Sequence, residues 1–99
     1  DCVRAYDLLM CTDDSIGNVY NVCGSTLPPM SYFTDTLVEM SGLDIKKVVD
    51  PDLCRPIDIQ VQFGDTSRLR ELTGWETGID IEQTLRDLLE YWVQKLSSP

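Results

Sequence analysis

Apolar residues recur along this chain with two different periods, and the switch between them predicts its elements. Ile57, Ile59, Val61 and Phe63 alternate with Asp58, Gln60 and Gln62. Period two predicts a strand with one buried and one wet face. Two shorter runs also read as strands: "VYNVC" from Val19, rich in β-formers, and "DIKKVVDP" from Asp44. Elsewhere the spacing is three and four. "DCVRAYDLLM" predicts a first helix with Val3, Ala5 or Tyr6, Leu9 and Met10 on one side. A second helix is expected from Pro29 to about Met40, with Met30, Phe33, Leu37 and Met40 inward and Gly42 as its stop. "DTSRLRELTGW" predicts a short helix capped by Asp65 or Thr66 and ended by Gly74. The last helix starts at Asp80, which with Gln83 has capping-box spacing, and carries a stripe of Leu85, Leu88, Leu89, Trp92 and Leu96. The expected fold class is a small mixed α/β domain in the order α-β-α-β-β-α-α. The sequence contains no internal repeat, linker or low-complexity segment.

Charge narrows the partners. Eight basic residues stand against seventeen acidic ones, giving a net charge of −9. Nucleic-acid surfaces need clustered Lys and Arg, so no nucleic-acid partner is expected, and no anionic membrane surface either. One or two local cations would still suffice for a small anion. No apolar run approaches the roughly 20 residues that span a bilayer. The chain opens on Asp1 without signal-peptide features, and reads as a fragment or a processed product. Cys2, Cys11, Cys23 and Cys54 form no C-x-x-C pair, and histidine is absent. No metal site is expected from such a set. Buried reduced thiols in a cytoplasmic protein are the preferred reading of the four.

Candidate chemistry is sparse. The glycines are scattered, so no phosphate-cradling loop is present. Ser and Cys nucleophiles lack a histidine. Asp13-Asp14 lies in a polar turn without EF-hand spacing. Tyr91 and Lys95 have the Y-x-x-x-K spacing of a proton-transfer pair, but they sit late in a C-terminal helix. They read as a tyrosine beside the core stripe and a solvated lysine. No catalytic residue is assigned. The remaining feature is Arg55, followed by Pro56 at the mouth of the third strand. Proline disfavours helix at the preceding residue and fixes its own φ. A guanidinium on such a rigid lead-in presents a planar fork to a phosphate or carboxylate. Asp58, the first outward strand position, is suited to accept from hydroxyls. The alternative is an Arg55–Asp58 surface ion pair worth at most about 1 kcal/mol.

Taken in series, "VYNVCG", "EMSGLDI", "VDPDLCRPIDIQVQFGDTSRLRELTGW" and "TLRDLLEYW" resemble the C-terminal part of extended short-chain dehydrogenases/reductases acting on nucleotide sugars. The resemblance is closest to the GDP-mannose 4,6-dehydratase and GDP-4-keto-6-deoxymannose reductase branch, and covers nearly the whole chain. It implies that residues 1–15 belong to or border an N-terminal Rossmann domain absent from this chain, which would bind NAD or NADP and hold the catalytic residues. It implies that residues 16–99 form a C-terminal nucleotide-sugar-binding domain packed against it. Substrate binding would fall to Arg55 on the diphosphate and Asp58 on the ribose, with a GDP-linked sugar as partner. Pro28-Pro29 departs from the family pattern, which has a Ser or Thr helix cap there. A UDP- or dTDP-sugar epimerase or dehydratase, a stand-alone α/β interaction module without catalysis, and a homo-oligomer formed through an exposed apolar face all stay open.

Overall fold

The computed structural model of the chain describes residues 1–98. Four helices are present among the described residues: α1 (Cys2–Met10), α2 (Met30–Ser41), α3 (Ser67–Thr73) and α4 (Ile81–Ser97). Single 3-10 turns stand at Asp13–Ser15 and Pro51–Leu53. No strand occurs among the described residues.

The expected α/β order is therefore corrected: helices are joined by extended segments. "VYNVC" runs extended without a ladder. The second expected strand ends in the 3-10 turn at Pro51–Leu53. The third is interrupted by bends at Pro56–Ile57 and at Gln60, and its alternating residues are all exposed, Ile57 at 90% and Phe63 at 73%. The reason is that alternation specifies which face is to be covered, whereas a strand also needs a neighbour for its N–H and C=O groups. No described segment supplies that ladder.

The chain divides into two compact units. The first combines Asp1–Leu27 with Phe63–Asp80. Ala5, Leu69 and Trp75 form its core, flanked by Leu8, Leu9 and Tyr20. The inward side of α1 is thus Ala5, Leu8 and Leu9, while the expected Val3, Tyr6 and Met10 face solvent. The carbonyls at the end of α1 are satisfied by side chains: Thr12 Oγ1 donates to Leu8 and Ser15 Oγ to Leu9, both at 2.7 Å. At α3, the Asp65 carboxylate accepts the Ser67 N–H at 2.9 Å and the Ser67 hydroxyl. Gly74 ends the helix at φ 72°, a left-handed conformation that glycine adopts without Cβ strain. Asp1 closes this unit. Its two carboxylate oxygens accept the N–H groups of Gly78 (3.1 Å) and Ile79 (3.0 Å).

The second unit contains Pro28–Gln62 and α4. Here α2 packs against α4, and the Tyr32 hydroxyl donates to Glu82 Oε1 at 3.2 Å. Pro29 precedes α2 without a side-chain cap, and Gly42 ends it at φ 65°. Of the expected α4 stripe, Leu85 is buried and Leu89 half-buried, while Leu88, Trp92 and Leu96 are exposed. Asp35 pairs with Lys47, tying the segment after α2 back to the helix.

Candidate ligand-binding segment

Arg55 lies on a segment whose backbone is held locally on both sides. Upstream, Pro51 occupies the start of the 3-10 turn, where its fixed φ and missing N–H carry no penalty. Asp50 Oδ1 accepts the Asp52 N–H at 3.0 Å, and the Asp50 carbonyl accepts the Leu53 N–H at 3.2 Å. Cys54, immediately before Arg55, is tied twice: its N–H donates to the Pro51 carbonyl at 3.2 Å and its thiol to the Asp50 carbonyl at 3.5 Å. Downstream, the Pro56 ring restrains Arg55. The guanidinium itself is exposed, and no hydrogen bond or ion pair joins it to another described residue.

Asp58 lies on the same segment and is also exposed. Its Oδ1 accepts the N–H of Ile59 at 2.9 Å. The two predicted site residues are not joined by an ion pair. What the arrangement offers is one planar cation and one carboxylate oxygen on a single open segment, with Asp50 and Asp52 adding negative charge upstream.

Three features escaped the sequence reading. In the first unit, Tyr20, Arg68, Glu71 and Leu72 line a shallow recess of about 310 Å³. Arg68 stands 5.3 Å above the Tyr20 ring, a cation–π distance; no local pattern links residues so far apart in sequence. In the second unit, Met40, Leu43, Arg86, Leu89, Glu90 and Val93 are among the residues lining a half-open groove of about 440 Å³. The helical spacing of Leu89 and Val93 was the available signal there. The cysteines are the third: all four are free, but Cys2, Cys11 and Cys54 are exposed and Cys23 is half-buried, which corrects the expectation of buried thiols.

The Tyr91–Lys95 pair does approach. Lys95 Nζ lies 3.4 Å from the Tyr91 hydroxyl, yet it also stands 4.9 Å from the Trp92 ring centre on the exposed end of α4. The resolved electrostatic perturbation is at Asp65: the Ser67 hydroxyl, and then the Ser67 N–H, hold its carboxyl below the ordinary 3.8. No group of three potential metal-ligating side chains occurs among the described residues. No described helix is long and apolar enough to cross a membrane. Gly17, Gly42 and Gly74 adopt left-handed conformations at a turn and at helix ends.

No family model and no solved structure matches the chain. Among curated proteins it is similar to a GDP-6-deoxy-D-mannose reductase of Pseudomonas aeruginosa, with 29% identity over 96 residues. That match covers 97% of this chain but 31% of the reductase, so the chain spans less than a third of the length of the relative it resembles.

Proposed function

We propose that this chain is the nucleotide-sugar-binding part of an NAD(P)-dependent enzyme that either dehydrates a GDP-linked sugar or reduces a GDP-linked keto-deoxysugar. The observation that carries the reading is the near end-to-end similarity to one contiguous portion of a GDP-sugar reductase. Residues 1–15 would border the cofactor-binding domain and residues 16–99 would hold the substrate. Nicotinamide supplies the hydride in such enzymes. Its binding, and the acid–base residues, belong to sequence outside this chain.

Within the chain, Arg55 binds the diphosphate. Its fork donates two parallel hydrogen bonds to phosphate oxygens, which a lysine ammonium does not reproduce. Asp58 keeps Oδ2 for a ribose hydroxyl while Oδ1 is engaged by the Ile59 N–H. One charge-assisted hydrogen bond contributes about 1.5–3 kcal/mol, and a millimolar complex requires about 4 kcal/mol. Two or three such bonds are offset by the translational and rotational freedom lost on association, about 4 kcal/mol or more, so the chain alone binds GDP-sugar with Kd above about 1 mM.

The test is Arg55→Lys in the full-length protein. The reading expects the KM for the GDP-sugar to rise about tenfold, the loss of one charge-assisted bond. An unchanged KM returns Arg55 to the solvated surface.

A further inference from the structure

We infer that Asp50 is the positioning residue for Arg55, acting through the turn between them; this rests on the reading of Arg55 as the diphosphate ligand. Asp50 is the hub of that turn. Its carboxylate accepts the Asp52 N–H, and its carbonyl accepts both the Leu53 N–H and the Cys54 thiol. The consequence falls on Cys54, which leaves the turn in an extended conformation (φ −75°, ψ 126°). Arg55 thus starts from a residue fixed by two hydrogen bonds and ends against a proline. Its backbone is constrained on both sides while its guanidinium makes no hydrogen bond or ion pair with a described residue. An arginine held this way loses little backbone freedom when a ligand arrives, and that is the contribution of preorganisation to affinity.

The charge of Asp50 works in the opposite direction. A carboxylate upstream of an anion-binding arginine repels the anion it is meant to receive. Its role is then the acceptor oxygen that closes the turn, a local side-chain to backbone bond characteristic of Asp and Asn. Removing the charge and removing the acceptor therefore have opposite predicted effects on anion affinity, which a merely destabilising substitution would not reproduce.

The experiment is calorimetric titration of the full-length protein with GDP. Asp50→Ala raises Kd about fivefold, the scale of a lost capping bond. Asp50→Asn, which keeps the acceptor and drops the charge, leaves Kd unchanged or slightly lower. On an Arg55→Ala background, Asp50→Ala adds no further loss, because the turn acts only through that arginine. If Asp50→Ala fails to fold, Asp50→Gly, which also lacks the acceptor, takes its place with a smaller loss and the same background test. If Arg55→Ala itself leaves GDP affinity unchanged, the diphosphate reading fails. If Arg55→Ala weakens binding but Asp50→Ala does not, the positioning role fails alone. An Asp50→Asn loss equal to that of Asp50→Ala, or additive losses with Arg55→Ala, also overturns it.

Discussion

The indole N–H of Trp75 donates to the backbone carbonyl of Asp1 at 3.0 Å. The same carbonyl accepts the Ala5 N–H that begins α1, also at 3.0 Å. Trp75 is nearly fully buried against Ala5 and Leu69, and Arg4 lies over its ring at 5.9 Å. One side chain thus joins the start of α1 to the segment just past the Gly74 end of α3. Trp75→Phe keeps part of the apolar contact but removes the donor and leaves a void. A loss of about 2 kcal/mol is expected from the bond and the void together, read as a lower urea midpoint by far-UV circular dichroism.

Gly64 and Cys23 make a second, tighter pair. A Cβ at position 64 would stand 2.6 Å from Cys23 Sγ and 3.2 Å from Cys23 Cβ. Gly64→Ala therefore forces Cys23 aside and lowers stability by about 1 kcal/mol. Cys23→Ala removes the obstructing sulfur, so the double variant recovers most of what Gly64→Ala loses. Thermal unfolding of the two single variants and the double variant measures this. Simple additivity would show that the two residues do not collide.

Asp65 gives an acid-side prediction with a defined sign. Its carboxyl is held below 3.8 by the Ser67 hydroxyl first and the Ser67 N–H second. A depressed folded-state value means the contribution to stability is present above the unfolded value and is lost as pH falls through the folded one. The start of α3 should therefore loosen below about pH 4. Ser67→Ala removes the largest cause, so the Asp65 titration moves up toward its ordinary value and the acid-side loss of stability becomes smaller. Carboxyl-carbon NMR of Asp65 reports both effects. No movement on Ser67→Ala would remove the hydroxyl from the account.

Leu69 and Ile59 should respond in opposite ways to where they are studied. Leu69 is fully buried and Ile59 is 71% exposed. Leu69→Ala should cost about 2–5 kcal/mol in any context. Ile59→Ala should cost little in this chain alone. In the full-length protein, where the proposed cofactor-binding domain would pack against this part of the chain, it should cost above about 1 kcal/mol. Equal small effects in both settings would contradict the covering domain. Comparative urea denaturation of the chain and the full-length protein separates these outcomes.

The contrast between those residues also marks what could be read from the sequence. Helices carry their hydrogen bonds internally, so α2, α3 and α4 were legible from spacing, caps and the stops at Gly42 and Gly74. The inward side of α1 was legible in part, at Leu9 and at Ala5 as the alternative to Tyr6, but Val3 and Met10 fit helical spacing almost as well as Leu8. What decided between them was Trp75, a partner remote in sequence. The strand alternation at 57–63 was real as a pattern, but strand formation depends on a second segment. At the candidate site, the restraint that Pro56 places on Arg55 was legible. The Asp50 turn was signalled by "DPD" and overlooked, and the approach of Arg68 to Tyr20 had no local signal.

The clasp at Asp1 also sets an order of assembly during synthesis. Its partners Trp75, Gly78 and Ile79 lie 74 to 78 positions later, and the stretch from Pro28 to Gln62 belongs to the other unit. At translation rates of roughly 5–20 residues per second, Asp1 waits on the order of 4 to 16 seconds for them. Through that interval Ala5, Leu8 and Leu9 are without the α3 side chains that later cover them. Until Trp75 has been added, that side of α1 is open to other surfaces, and holding by a chaperone would protect it.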